Sequence, residues 1–137
     1  MKLLPRLAFL AAVMADGDTS HSNIMLGQQL MGQQRMPEAQ AAFEQSVVLD
    51  PQNPLAHMML AVLEEQLGRL EQAEGAYTSA WELGQTDARA QPYLGTIAFN
   101  LGLMAQRRGS SQKAVDVLER AVELMPDSQV RASIQLF

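Results

Sequence analysis

Displaced by 34 residues against itself, the chain brings Leu26-Gly27 onto Leu60-Ala61, Gln34 onto Gly68, Ala39 onto Ala73 and Phe43 onto Tyr77. A further displacement of 41 residues carries Leu60-Ala61 onto Leu101-Gly102, Gly68 onto Gly109, Ala73 onto Ala114 and Tyr77 onto Leu118. Ser46, Ala80 and Ala121 fall in the same register, and so do Pro51, Gln85 and Pro126. A register held at so many positions describes three copies of one supersecondary unit. Such a unit cannot bury its apolar face alone and must stack on its neighbours.

Within each copy the apolar residues recur at helical spacing. The second stretches read Ala39, Ala42, Phe43, Ser46, Val47, then Ala73, Ala76, Tyr77, Ala80, then Ala114, Val117, Leu118, Ala121, Val122. Each is an amphipathic helix with one buried stripe. Small residues stand where two helices approach closely, and a bulky Phe, Tyr or Leu fills the space beside them. Gly68 and Gly109 supply permissive backbone between paired helices, while Asp50-Pro51 and Met125-Pro126-Asp127 close the pairs. Composition agrees: 137 residues suit one domain, and with aromatics at 5% the mixture favours helix over strand.

The pattern resembles the tetratricopeptide repeat, a helix–turn–helix unit of about 34 residues with the order W-x2-L-G-x2-Y…A-x3-F…P. Here it is carried by Leu26, Gly27, Ala39, Phe43 and Pro51, by Leu60, Ala73 and Tyr77, and by Leu101, Gly102, Ala114, Leu118 and Pro126. Asn23, His57 and Ala98 occupy the place of the family's Trp, and Trp81 lies on the second helix of the middle unit. The resemblance implies an all-α, right-handed superhelical solenoid of about three repeats, over residues 20–53, 54–87 and 88–128. The third unit has seven residues more than the second, about two helical turns, read as a lengthened first helix starting near Asp87–Pro92. A loop insertion containing Pro92 is the alternative. Gly95, Gly102 and Gly109 stand one heptad apart and predict a flat stripe where another helix packs.

Residues 1–15 read MKLLPRLAFLAAVMA: two basic residues, a short apolar run and a small residue before Asp16. This matches a secretory signal and predicts a periplasmic or secreted protein. The rival reading is an incomplete preceding repeat, since Phe9, Ala12 and Asp16 lie 34 residues before Phe43, Ser46 and Asp50, and would leave the protein cytoplasmic. Either way the run is short of the roughly 20 residues a stable membrane span needs. At the other end, residues 129–137 begin what reads as another first helix, with Val130, Ile134, Leu136 and Phe137 as its apolar residues. Each such side chain left in water forgoes roughly 1.5–3 kcal/mol, so a second copy or a partner is expected to complete this incomplete capping helix.

Catalytic chemistry finds no foothold. His21 and His57 have no third ligand of clear spacing, and there is no cysteine and no phosphate-binding glycine loop. Glu64-Glu65 and Glu71/Glu74 follow helical spacing, as a solvated face does. Met25, Met31, Met58, Met59 and Met104 read as adaptable packing residues and not as soft-metal ligands. No cofactor, metal or enzymatic activity is expected. The net charge of −5, with Arg107-Arg108 and Lys113 as the nearest thing to a basic patch, disfavours nucleic acid.

The resemblance implies a concave surface lined by the first helices, which in this family commonly grips a peptide. Mapped by register, that lining is Ile24, Gln28 and Met31, then Met58, Val62 and Glu65, then Phe99, Leu103 and Gln106, with Arg107 at its border. Some family members clamp a terminal carboxylate with Lys and Asn in the first unit, where Ile24 and Gln28 stand here. The largely apolar lining predicts a non-enzymatic scaffold or adaptor accepting a hydrophobic or amphipathic segment of another protein. Two alternatives remain: a self-assembling subunit of a larger complex, joined through its C-terminal end, and an accessory module of an enzyme.

Overall fold

The computed structural model describes residues 19–124, and over that span the chain is a series of helices joined by short turns. Helices α1 (Ser20–Gly32) and α2 (Met36–Leu49) form the first hairpin, α3 (Pro54–Gln66) and α4 (Leu70–Gly84) the second, and α5 (Leu94–Arg107) and α6 (Ser111–Leu124) the third. A 3-10 helix, Ala88–Tyr93, lies between α4 and α5. Contacts are densest inside each hairpin, and α2 against α3 and α4 against α5 join the hairpins into a stack. No strand occurs among the described residues. The signal-like stretch 1–15 and the segment 129–137 lie outside them.

Local chemistry explains where the helices begin. The Thr19 hydroxyl accepts from the Ser22 amide at 3.0 Å, and the Ser22 hydroxyl accepts from the Thr19 amide at 3.0 Å, a reciprocal cap that satisfies two otherwise orphaned donors. Asn53 caps α3 through the Leu55 amide at 3.1 Å, and Pro54 follows in the first turn, where its missing N–H costs nothing. The buried Asn53 amide also donates to the Ser20 hydroxyl at 3.0 Å, tying the starts of α1 and α3 together.

The three hairpin turns share one geometry. Gln34, Gly68 and Gly109 adopt φ of 62°, 77° and 81°, and the next residue's amide bonds five residues back: Arg35 to Leu30, Arg69 to Glu64, and Ser110 to Ala105 at 2.8–2.9 Å. This is the left-handed helix stop in which glycine is favoured. At Gln34 a side chain sits in that region, at a cost of roughly 1–2 kcal/mol relative to right-handed backbone.

Inside each hairpin a small residue on the first helix faces a large one on the second. A Cβ added at Gly27 would lie 2.4 Å from the Phe43 ring, and one at Gly102 would lie 2.6 Å from Leu118. Ala61 takes the equivalent place opposite Tyr77, and both are essentially buried. The expected glycine stripe is therefore divided. Gly102 is the contact with Leu118, whereas Gly109 ends the hairpin turn with open space around it.

The seven added residues differ from the two turns of α-helix expected there. An α-helix entered at Ala88 would require an N–H from Pro92 toward the Ala88 carbonyl, which proline lacks, and its ring would clash with that carbonyl. The chain instead makes tighter 3-10 turns through Tyr93 and enters α5 at Leu94. Ala90 is fully buried there against the end of α4, where a Cβ at Gly84 would meet Ala90 and Leu94 at 3.0 Å.

Ion pairs join successive units. Arg89 bonds Asp50 at 2.9 Å and Asp87 at 2.8 Å. Glu74, buried on α4, receives Lys113 at 3.0 Å and also Arg108. The basic residues beyond Arg107 thus serve an internal carboxylate. Burial alone would raise the Glu74 carboxyl, but the hydrogen bonds and charges of Lys113 and Arg108 outweigh it and hold the group below its ordinary value.

Three outcomes follow for stability. Gly27→Ala should lower the urea midpoint, because about 1–3 kcal/mol of overpacking exceeds the roughly 1 kcal/mol gained in helix propensity. Gly75→Ala, at a helical site with nothing within 4 Å, should raise stability by about 0.5–1 kcal/mol. For Glu74, a depressed folded value means stability present above the ordinary 4.5 and lost as pH falls through the folded value. Acid titration of thermal stability should show a shallower loss below that pH in Glu74→Gln than in the native chain.

Candidate functional site

On each first helix, one face carries three positions at i, i+4 and i+7. They are Ile24, Gln28 and Met31 on α1, Met58, Val62 and Glu65 on α3, and Phe99, Leu103 and Gln106 on α5. Met31, Met58, Val62, Glu65, Phe99 and Leu103 are half-buried, each presenting part of its side chain at the surface. Met31 and Met58 pack on the core between the first two hairpins, and Val62, Phe99 and Leu103 pack on the core between the second and third. Phe99 also reaches the core of the third hairpin. The half-buried residues therefore form an apolar strip supported by successive parts of the core.

Three expected members behave differently. Ile24 is only 5% exposed and belongs to the core with Phe43 and Met59, so it offers a ligand almost no surface. The helical face at this point turns inward, because α1 packs against both α2 and α3. Gln106 is exposed and borders a cleft of about 420 Å³ on the α5–α6 hairpin with Ala114, Val115, Leu118 and Val122. Gln28 is exposed as well, and its amide donates to the Met59 sulfur at 3.5 Å, bridging α1 and α3.

A polar cluster interrupts the strip. The buried Tyr77 hydroxyl on α4 faces Glu65 on α3 and Asn100 on α5. Burial pushes the phenol far above its ordinary value and the Glu65 charge adds to the rise, while a hydrogen bond from Asn100 opposes it. The Tyr77 hydroxyl thus stands beside both the Glu65 carboxylate and the Asn100 amide. Asn100 escaped the sequence reading. Its signal was an amide immediately beside the groove position Phe99, on a helix otherwise rich in buried residues.

His57 has a local account. The His57 ring nitrogen lies 2.8 Å from the Pro51 carbonyl, fastening the start of α3 to the turn before it. Among the described residues, no three of His, Asp and Glu come together as a metal site, and no helix is long and apolar enough to cross a membrane.

With this architecture in view, comparison with known proteins identifies the repeat. Residues 24–88 match the tetratricopeptide repeat. No curated protein matches the sequence. Among solved structures, the chain is similar to the APC/C hetero-tetramer Cut9–Hcn1, at 22% identity and TM-score 0.76, over 94% of this chain but 25% of that one. It thus spans about a quarter of that relative's length. It is similar to MamA at the same identity and TM-score, over 94% of this chain and 72% of that one. It is also similar to the first repeat domain of Spaghetti (RPAP3) bound to the HSP90 peptide SRMEEVD, at 20% identity and TM-score 0.71, over 85% and 87% of the two chains. Residues 24–88 thus carry tetratricopeptide repeats, and the fold of the described residues is the all-α solenoid of that family.

The Tyr77 environment has a measurable sign. Its raised folded value contributes stability that is complete below the ordinary 10.0 and is lost as pH rises above it. Absorbance titration should show one of the two tyrosines ionising only as the fold is lost, and Tyr77→Phe should remove that step.

Proposed function

We propose that this protein is a scaffold whose first-helix face accepts a hydrophobic or amphipathic segment of another polypeptide. The observation that carries the proposal is the strip of half-buried Met31, Met58, Val62, Phe99 and Leu103, set on a core that holds its backbone still. Side chains anchored at the base and open at the tip can add apolar contact without first being ordered, which lowers the entropic cost of association. Methionine, unbranched and polarizable, adapts its tip to partners of different shape. The Spaghetti domain, of similar fold, holds a peptide, and Cut9–Hcn1 is a hetero-tetramer; both support a binding role for a solenoid of this kind. The peptide of the Spaghetti complex is acidic at its end, whereas the strip here contains Glu65, so a different class of segment is expected.

Peptide selection from a random library displayed on phage, followed by fluorescence anisotropy with the selected sequences, tests this directly. Met58→Ala and Phe99→Ala should each weaken binding about tenfold or more while circular dichroism shows the fold intact. Unchanged affinity in both variants would place the interaction elsewhere.

A further inference from the structure

The treatment of acidic side chains is uniform except at one place. Among the described residues, the buried Glu64 and Glu74 and the half-buried Asp50 and Asp87 each have a cation beside them: Arg69, Lys113 with Arg108, and Arg89 for both aspartates. Glu44, Glu71, Glu82, Asp116 and Glu119 are exposed, so water serves them. Glu65 alone is half-buried with no ion pair to any described residue. The Tyr77 hydroxyl is its neighbour in the fold, and the Asn100 side chain lies beside that hydroxyl.

Glu65 also lies in the strip proposed above as the docking surface. Val62 is one turn before it on α3, Met58 two turns before it, and Phe99 adjoins Asn100 on α5. A carboxylate can accept several hydrogen bonds, more than the neighbouring Tyr77 hydroxyl can supply. A docked apolar segment would strip the remaining water from Glu65, at a cost that a neutral or acidic partner leaves uncompensated. A basic side chain reverses that sign. Its hydrocarbon stem packs on Met58 and Val62 while its charged end reaches the carboxylate. Arg107 is exposed at the far end of α5 and pairs with none of the described acids, so Glu65 is not answered from within.

We infer that Glu65, oriented by Tyr77 and Asn100, reads a lysine or arginine flanked by apolar residues in the bound segment. The inference rests on the groove reading and adds to it the charge class of the partner. Electrostatic matching of this kind selects among partners more than it adds raw affinity.

The same random library, selected on the full chain and in parallel on Glu65→Gln, tests it. The amide introduced by that substitution keeps an acceptor for the Tyr77 hydroxyl, and circular dichroism and gel filtration verify the fold. Peptides from the native chain should be enriched in Lys or Arg between apolar residues, and those from Glu65→Gln should not. In a synthetic peptide from the first set, replacing the basic residue by norleucine should weaken binding to the native chain about tenfold or more, and to Glu65→Gln less than about twofold. Glu71→Gln, which removes the same charge from an exposed site, should retain the preference. Selected peptides without basic enrichment, or a preference that Glu65→Gln retains, overturns the role of Glu65 while leaving the groove standing. Recovery of no peptide, or of peptides indifferent to Met58→Ala and Phe99→Ala, overturns the groove itself and this inference with it.

Discussion

Close approach of paired helices is the constraint on which the structure depends. A helix hairpin buries its large side chain only where the facing helix gives up its own. Phe43 lies on Gly27, Tyr77 on Ala61 and Leu118 on Gly102. The trade is graded: Leu118 and Phe43 need the complete absence of a side chain, whereas the middle pair tolerates a methyl group. The half-buried strip on the first helices inherits its position from these contacts.

A second layer of order comes from polar groups placed where units meet. Asn53 serves two helix starts at once, through Leu55 and Ser20. Arg89 spans the turns that close the first and second units, and Glu74 gathers two cations from the third. Arg89 is about half exposed, so its pairs add little free energy in water, and their value lies in fixing where the 3-10 segment sits. Glu74 is the energetically sensitive case, since removing its cations would leave a buried carboxylate uncompensated.

Much of this was legible from periodicity. The equivalence of Gln34, Gly68 and Gly109, drawn only from register, is realised as three left-handed turns with the same hydrogen bond. The pairing of small and large residues was legible for the same reason, because a repeated steric requirement leaves a repeated residue pattern. What escaped depends on neighbours far along the chain. Ile24 stands at a groove position by register but is buried by two packed helices. The lengthened α-helix read over residues 88–93 is instead a 3-10 segment, since Pro92 cannot donate in an α-helix entered at Ala88. At the candidate site, Met58, Val62 and Phe99 could be read from spacing, whereas Asn100 could not. The isolation of Glu65 becomes visible only when every other acid has been matched to its cation.

The hydrogen bonds between units have a consequence for how the chain comes apart. Asn53 and Ser20 are 33 residues apart, Glu74 and Arg108 34, and Asp50 and Arg89 39, so each links one hairpin to a neighbour. In a stack held only by adjacent surfaces, an outer hairpin can fray while the others stay ordered. Here, losing the third hairpin would strand the Glu74 carboxylate, and losing the first would release the buried Asn53 amide from Ser20. Partial opening is thereby penalised at both sides of the middle hairpin.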